Sequence, residues 1–225
     1  MTAVAIDGPA GAGKSSVARK TAEKLGFLYV DTGALYRAIG LYMLQNGVDP
    51  GDADTVIPLL KKITVSLKYC GGEQRVFLCG NDVSDKIRTD DVSLAASRVS
   101  AIPEVRSFLL SLQRDIAKEN NVLMDGRDIG TVVLPDAQVK VFLTASTEER
   151  AKRRYFQLLH SGIKADYDEV LEDLKQRDYN DTHRAIAPLK PAPDAVVMDT
   201  TGQTLEQSVE LLIRLIQEKT SANIT

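Results

Sequence analysis

The apolar run Ala3-Val4-Ala5-Ile6 ends at Asp7 and leads directly into Gly8-Pro9-Ala10-Gly11-Ala12-Gly13-Lys14-Ser15. Behind this stretch Val17, Ala18, Thr21, Ala22 and Leu25 share one helical face, and Gly26 stands where a helix stop belongs. A buried strand, a glycine-rich turn and a helix in that order make a phosphate-binding geometry. The glycines let successive N–H groups converge on phosphate oxygens, and the helix N-terminus adds its dipole. Lys14 is placed to reach β- and γ-phosphates, and the Ser15 hydroxyl to ligate Mg²⁺. The pattern G-x-x-x-x-G-K-S in this context implies a bound nucleoside triphosphate. Its contacts are expected from Gly8, Pro9, Ala10, Gly11, Ala12, Gly13, Lys14, Ser15 and Ser16.

Four further apolar runs read as strands: Phe27–Val30, Val122–Met124, Val139–Leu143 and Ala195–Met198. Their near-continuous hydrophobicity is that of strands covered on both faces. Acids close four of the five strands, at Asp7, Asp31, Asp125 and Asp199. In open parallel sheets strand carboxyl ends face the ligand crevice. Helical periods lie between the strands. Pro103 takes a first helical position, while Ser146 to Glu149 and Thr204 to Gln207 have capping-box form. Strands alternating with helices predict an α/β fold: a five-stranded parallel sheet flanked by helices.

One segment departs from this alternation. Ile63, Val65, Leu67 and Tyr69 alternate with polar residues up to Gly71-Gly72, and Val76 and Leu78 alternate beyond it. Period 2 on both sides of a glycine pair predicts a hairpin, so residues 63–92 read as a small antiparallel β insert. The core is then 1–62 with 93–220, and residues 221–225 are expected to be a disordered tail. Cys70 and Cys79 fall in the two arms of the insert and are expected to be half-buried structural residues.

The balance of charge narrows the partners. With 28 basic and 31 acidic side chains the net charge is −3, which argues against nucleic acid bound over a broad surface. No apolar stretch approaches the ~20 residues of a membrane helix, and the N-terminus lacks a signal peptide's basic start. Two cysteines are too few for a disulfide framework or a zinc site. A cytoplasmic, reduced protein without membrane contact is expected.

A guanine-reading Asn-Lys-x-Asp is lacking, and Asp199-Thr200-Thr201-Gly202 matches only the short D-x-x-G pattern. The arginines carry more information. Arg37 and Arg127 stand just beyond strand ends, where a guanidinium suits bidentate phosphate recognition. Arg150, Arg153 and Arg154 share a helical face, and Arg177, Asp181 and Arg184 recur at near-helical spacing. Neither His160 nor His183 sits in a nucleophilic set. An acceptor phosphate has a second pKa of ~6 and needs no base at pH 7. Alignment and positive charge are what such a site must supply.

Four strings together resemble bacterial cytidylate kinases, members of the nucleoside monophosphate kinase group of P-loop kinases. They are the phosphate loop, Asp31-Thr32-Gly33-Ala34-Leu35-Tyr36-Arg37, the run Asp125 to Val133 (DGRDIGTVV), and His183-Arg184-Ala185-Ile186-Ala187-Pro188-Leu189. The β insert is similar to that family's nucleotide-binding insert. The resemblance extends to about residue 217. It implies transfer of the γ-phosphate of MgATP to CMP or dCMP by a monomer, within pyrimidine nucleotide metabolism. It implies a CMP site of Thr32, Tyr36, Arg37, Ser97, Arg106, Arg127, Asp128, Arg177, Asp181 and Arg184. Arg37 and Arg127 would hold the acceptor phosphate, with Arg184 closing on it or on the base. Ser97, Arg106 and Asp128 would read cytosine, and Arg177 and Asp181 the ribose. Lys14, Arg127, Asp128 and Arg184 would be the catalytic set. Arg153 and Arg154 would lie on a lid over about 150–185 and bring charge to the ATP phosphates. Two alternatives stay open: another small P-loop kinase, such as an adenylate, shikimate or gluconate kinase, and a non-catalytic nucleotide sensor.

Overall fold

The computed structural model describes residues 1–70 and 73–221. The expected Gly71-Gly72 turn and residues 222–225 of the expected tail lie outside the described residues. In chain order the elements begin β1 (Ala3–Asp7), α1 (Lys14–Leu25), β2 (Leu28–Asp31), α2 (Thr32–Gln45) and α3 (Ala53–Leu60). The strands β3 (Val65–Cys70), β4 (Glu73–Leu78) and β5 (Asn81–Asp82) follow, then α4 (Asp90–Val99) and α5 (Pro103–Glu119). The chain closes with β6 (Val122–Gly126), β7 (Val139–Thr144), α6 (Thr147–His160), α7 (Tyr167–His183), β8 (Val196–Asp199) and α8 (Leu205–Ser221).

Five strands form one sheet in the order β2-β6-β1-β7-β8, with β1 parallel to β6 and to β7, and β7 parallel to β8. The expected α/β architecture is therefore present. The chain separates into two compact units, Met1–Tyr29 with Asn120–Thr225, and Val30–Glu119.

The first unit is built on β1 and β6, whose residues are almost all buried, as their unbroken hydrophobicity requires. Val4, Ile6 and Leu123 meet Val17 and Ala18 of α1 and Val209, Leu212 and Ile216 of α8 in one core. Continuous hydrophobicity misleads for β7, which alternates, and for β8, a sheet edge on which Val197 is 60% exposed. The helix signals are realised. Gly26 adopts the left-handed conformation after α1, and Pro103 opens α5. Thr204 and Gln207 satisfy each other's backbone N–H groups at 2.9 and 3.2 Å, a complete capping box.

In the second unit α2 supplies Leu35, Ile39 and Met43 to a core that also takes Val76 and Leu78 of β4 and Val105 and Leu109 of α5. The hairpin β3–β4 is antiparallel, pairing Val65 with Leu78 and Cys70 with Glu73, and the two-residue β5 extends it. Ile63 is a buried residue ahead of the strand and not part of it. Cys70 and Cys79 are free and exposed, correcting their expected half-burial. Cys70 falls on the outward register of β3, and Cys79 sits just past β4 with φ 49°. No helix among the described residues is long and apolar enough to cross a membrane.

Candidate active site

The phosphate loop leaves β1 and enters α1 through Gly13, whose φ of 88° no L side chain adopts cheaply. Gly8, at φ 152°, has no room for a Cβ, which would run into the Leu143 carbonyl. Lys14 is buried, and its Nζ donates to the Pro9 carbonyl at 2.7 Å, so the loop is folded around its own ammonium group. Burial, and then the neighbouring Arg127 guanidinium, push the Lys14 pKa well below the usual lysine range, with Asp125 and Asp181 pulling the other way. Burial is the largest of these influences, and two guanidinium groups and two carboxylates surround the ammonium.

Two strand-end acids organise this end of the unit. Asp125, closing β6, accepts from the Ser15 hydroxyl at 2.8 Å and from the Tyr29 hydroxyl at 3.1 Å. Asp7, closing β1, is 3% exposed and accepts from the backbone N–H groups of Ile129 and Gly130 at 2.7 and 2.8 Å. Burial raises the Asp7 pKa to about 6, against the two backbone donors that lower it. Asp7 thereby pins the π-type turn Ile129–Val133 that follows Arg127 and Asp128.

Arg127 Nε donates to Asp181 Oδ2 at 2.8 Å. Burial opposes ionisation of Asp181, but Arg127, followed by Arg177 and Arg184, holds its carboxyl below the usual range. Arg184 lies 3.8 Å from Asp128, an ion-pair distance and too long for a hydrogen bond. Arg184 Nε donates at 2.6 Å to the carbonyl of Ala187, a residue in the left-handed region at φ 50°. Lys14, Arg127, Asp128, Arg177, Asp181 and Arg184 are thus brought into one charged cluster beside the phosphate loop, in which Lys14, Asp128 and Asp181 are buried and the three arginines half-buried.

On α6, Arg150 is buried and donates to the carbonyls of Ala10 and Ala145, and it pairs with Asp178 at 2.7 Å. Arg153 reaches Glu149 and bonds Thr200 through its hydroxyl and carbonyl at 3.2 and 2.8 Å. Arg154 donates to Gln157 at 3.3 Å.

The second unit carries the remaining expected residues. Asp31 caps α2 by accepting from Ala34 N–H at 3.0 Å, and its other oxygen pairs with Arg37 at 2.7 Å. Arg37 Nε is buried and makes no hydrogen bond. Thr32 is buried at the first position of α2. Arg106 lies 5.5 Å from the centre of the Tyr36 ring and donates to the Ser100 carbonyl at 3.2 Å, and Ser97 is half-buried on α4. Two partnerships escaped sequence reasoning. Asp125 was legible only as one strand-end acid among four, and Arg150 only as one member of a helical face.

A family model described as "Cytidylate kinase" matches residues 4–218. A "Cytidylate kinase" of Caldicellulosiruptor saccharolyticus is 49% identical over 212 residues, 94% of each chain. Another, of Caldanaerobacter subterraneus subsp. tengcongensis, is 52% identical over 221 residues, 98% of this chain and 97% of the relative. Among solved structures, an uncharacterised protein of Eubacterium ventriosum superposes with a TM-score of 0.53 at 13% identity, covering 96% of this chain and 99% of its own, a likeness of fold alone.

Proposed function

The chain belongs to the cytidylate kinase family, and on that premise we propose that it transfers the γ-phosphate of MgATP to CMP or dCMP, yielding ADP and CDP or dCDP. An oxygen of the acceptor phosphate attacks the γ-phosphorus, and the bond from that phosphorus to the β-phosphate oxygen breaks. Such a transfer needs positive charge and alignment and little covalent help. The cluster of the buried Lys14 with the half-buried Arg127, Arg177 and Arg184 beside the phosphate loop is the observation that carries this reading. ATP binds through Gly8 to Ser16, with Lys14 on its terminal phosphates and Arg153 and Arg154 adding charge from α6.

Ser15 and Asp125, two hard oxygen donors 2.8 Å apart beside the loop, fit a Mg²⁺ ion whose other ligands are phosphate and water oxygens. When bound, the ion neutralises charge on the triphosphate.

Arg37 and Arg127 hold the acceptor phosphate, and the unpartnered Nε of Arg37 supports this assignment. Arg184 closes on the phosphate or the base. Ser97, Arg106 and Asp128 read cytosine, Arg177 and Asp181 address the ribose, and Thr32 and Tyr36 line the nucleotide. The enzyme acts as a cytoplasmic monomer in pyrimidine nucleotide metabolism.

A coupled assay of ADP release over CMP, dCMP, UMP, AMP and GMP tests the proposal. Turnover confined to the cytidine nucleotides, or strongly favouring them, is expected. A chain that binds ATP and turns over none of the five is a sensor, and the proposal is then wrong.

A further inference from the structure

On the inward face of β4 in the β insert, Gln74 is a polar side chain in line with two core residues. Gln74, Val76 and Leu78 alternate along β4 and so point the same way, and Val76 and Leu78 are sunk in the core beside Leu35 and Ile39 of α2. Gln74 continues that face towards the start of α2. Its Oε1 accepts from the Asp31 N–H at 2.9 Å, and its Nε2 donates to the Asp31 carbonyl at 3.3 Å. Both backbone groups of one residue are thereby held by one amide.

Asp31 is the residue from which Arg37 is oriented. Its Oδ1 accepts from Ala34 N–H, fixing the first turn of α2, and its Oδ2 pairs with Arg37. The chain of contacts therefore runs from insert to Gln74, to the Asp31 backbone, to the Asp31 carboxylate, to the guanidinium. We infer that Gln74 is a positioning residue for the acceptor phosphate, acting through Asp31 on Arg37, and that through it the insert bears on acceptor binding. The inference rests on the reading that Arg37 binds that phosphate.

A side chain that only packs would affect folding and both substrates alike. A side chain that aims Arg37 affects the acceptor alone, and only while Arg37 is present. The experiment is a double-mutant cycle on the full chain with Gln74→Met, Arg37→Ala and the pair together, each checked by circular dichroism and thermal melting. Gln74→Met removes both hydrogen bonds at similar volume. It is expected to raise the CMP KM by about fivefold to thirtyfold. The ATP KM and kcat should stay within about twofold, and in the Arg37→Ala background the CMP KM should move by less than about twofold. An equal factor in both backgrounds, no effect in either, or a joint change in the ATP KM and kcat overturns the inference.

Gln74→Asn, which shortens the amide by one methylene, gives a folded intermediate if Gln74→Met proves unstable, and should show a smaller change of the same kind. Hydrogen exchange at the Asp31 amide supplies a readout independent of activity. It should accelerate at least about tenfold in Gln74→Met, and unchanged exchange refutes the clamp. A wild-type chain inactive on CMP defeats the functional reading instead, and the exchange result still judges the clamp.

Discussion

The Ser15 hydroxyl donates to Asp125 Oδ2 at 2.8 Å, joining the first turn of the helix after the phosphate loop to the end of the neighbouring strand. The two residues are 110 positions apart, and the parallel pairing of β1 with β6, which sets Ile6 beside Asp125, brings them together. If this pair holds Mg²⁺ as proposed, the carboxylate's charge supplies most of the attraction. Asp125→Asn is therefore expected to lower kcat by about 10²-fold and to raise the Mg²⁺ concentration needed for half-maximal rate. A Mg²⁺ titration of initial rate checks this, and an unchanged midpoint would show that Asp125 only positions Ser15.

Lys14 is expected to matter for turnover more than for binding. Its ammonium is buried against the Pro9 carbonyl, in surroundings that disfavour its charge until phosphate arrives. Lys14→Ala should lower kcat by roughly 10²-fold or more, because the lost charge faces the transferring phosphoryl group. Steady-state kinetics decide the matter, and a variant keeping more than about a tenth of wild-type turnover is incompatible with the role.

Base choice is expected to pass through Asp128. Cytosine offers an N4 amino donor where uracil offers an O4 acceptor, so a carboxylate there favours one base and opposes the other. A buried group left unpaired by the wrong ligand discriminates by ~10²-fold to 10⁴-fold. The 3.8 Å separation of Asp128 from Arg184 supplies a competing role, in which the acid merely steadies the guanidinium. Asp128→Ala distinguishes the two. Loss of base reading should compress the ratio of kcat/KM for CMP over UMP by about tenfold or more, whereas loss of an arginine support leaves it within about threefold.

Asp7 should make stability rise on mild acidification. Its folded pKa of about 6 lies above the ordinary carboxylate value of 3.8, so the folded state binds the proton more tightly than the unfolded chain. Its unfavourable charge is fully present above about pH 6 and relieved as pH falls towards 4, by at most about 3 kcal/mol. Asp181 behaves oppositely, because its pKa is depressed and its contribution is lost only as pH falls through that lowered value. Urea unfolding of wild type and Asp7→Asn at pH 7 and pH 4.5 isolates the Asp7 contribution by difference. Wild type should gain at least about 1 kcal/mol on the variant at the lower pH, and a constant difference contradicts the assignment.

The residues that announced the fold did so through local chemistry. A strand that must be buried on both faces, glycines at φ 88° and 152°, and a capping box at Thr204 are each legible because a single short segment contains the whole constraint. The same holds for the alternation of Val76 and Leu78, which revealed the hairpin though not the two-residue strand β5 beside it. Among the proposed site residues, Lys14 and Ser15 are read from their motif, and Arg37 and Arg127 from their places after strand ends.

What escaped were pairings between residues distant in the chain. Nothing near Gln74 marks it as the holder of the Asp31 backbone, since glutamine in a strand has no positional signature and the contact spans 43 residues. Likewise four acids end strands, yet only tertiary structure decided that Asp125 receives the Ser15 hydroxyl while Asp7 receives the N–H groups of Ile129 and Gly130. The sequence by itself determined the five strands of the parallel sheet, the hairpin and the capped helix ends, because steric limits on φ and the period of burial act within a few residues. The long-range partners of the buried charges were decided by tertiary structure, by strand register for Asp125 and by the placing of α7 for Arg127 and Arg150, because burial obliges such a group to pair with whatever donor or acceptor the fold sets beside it.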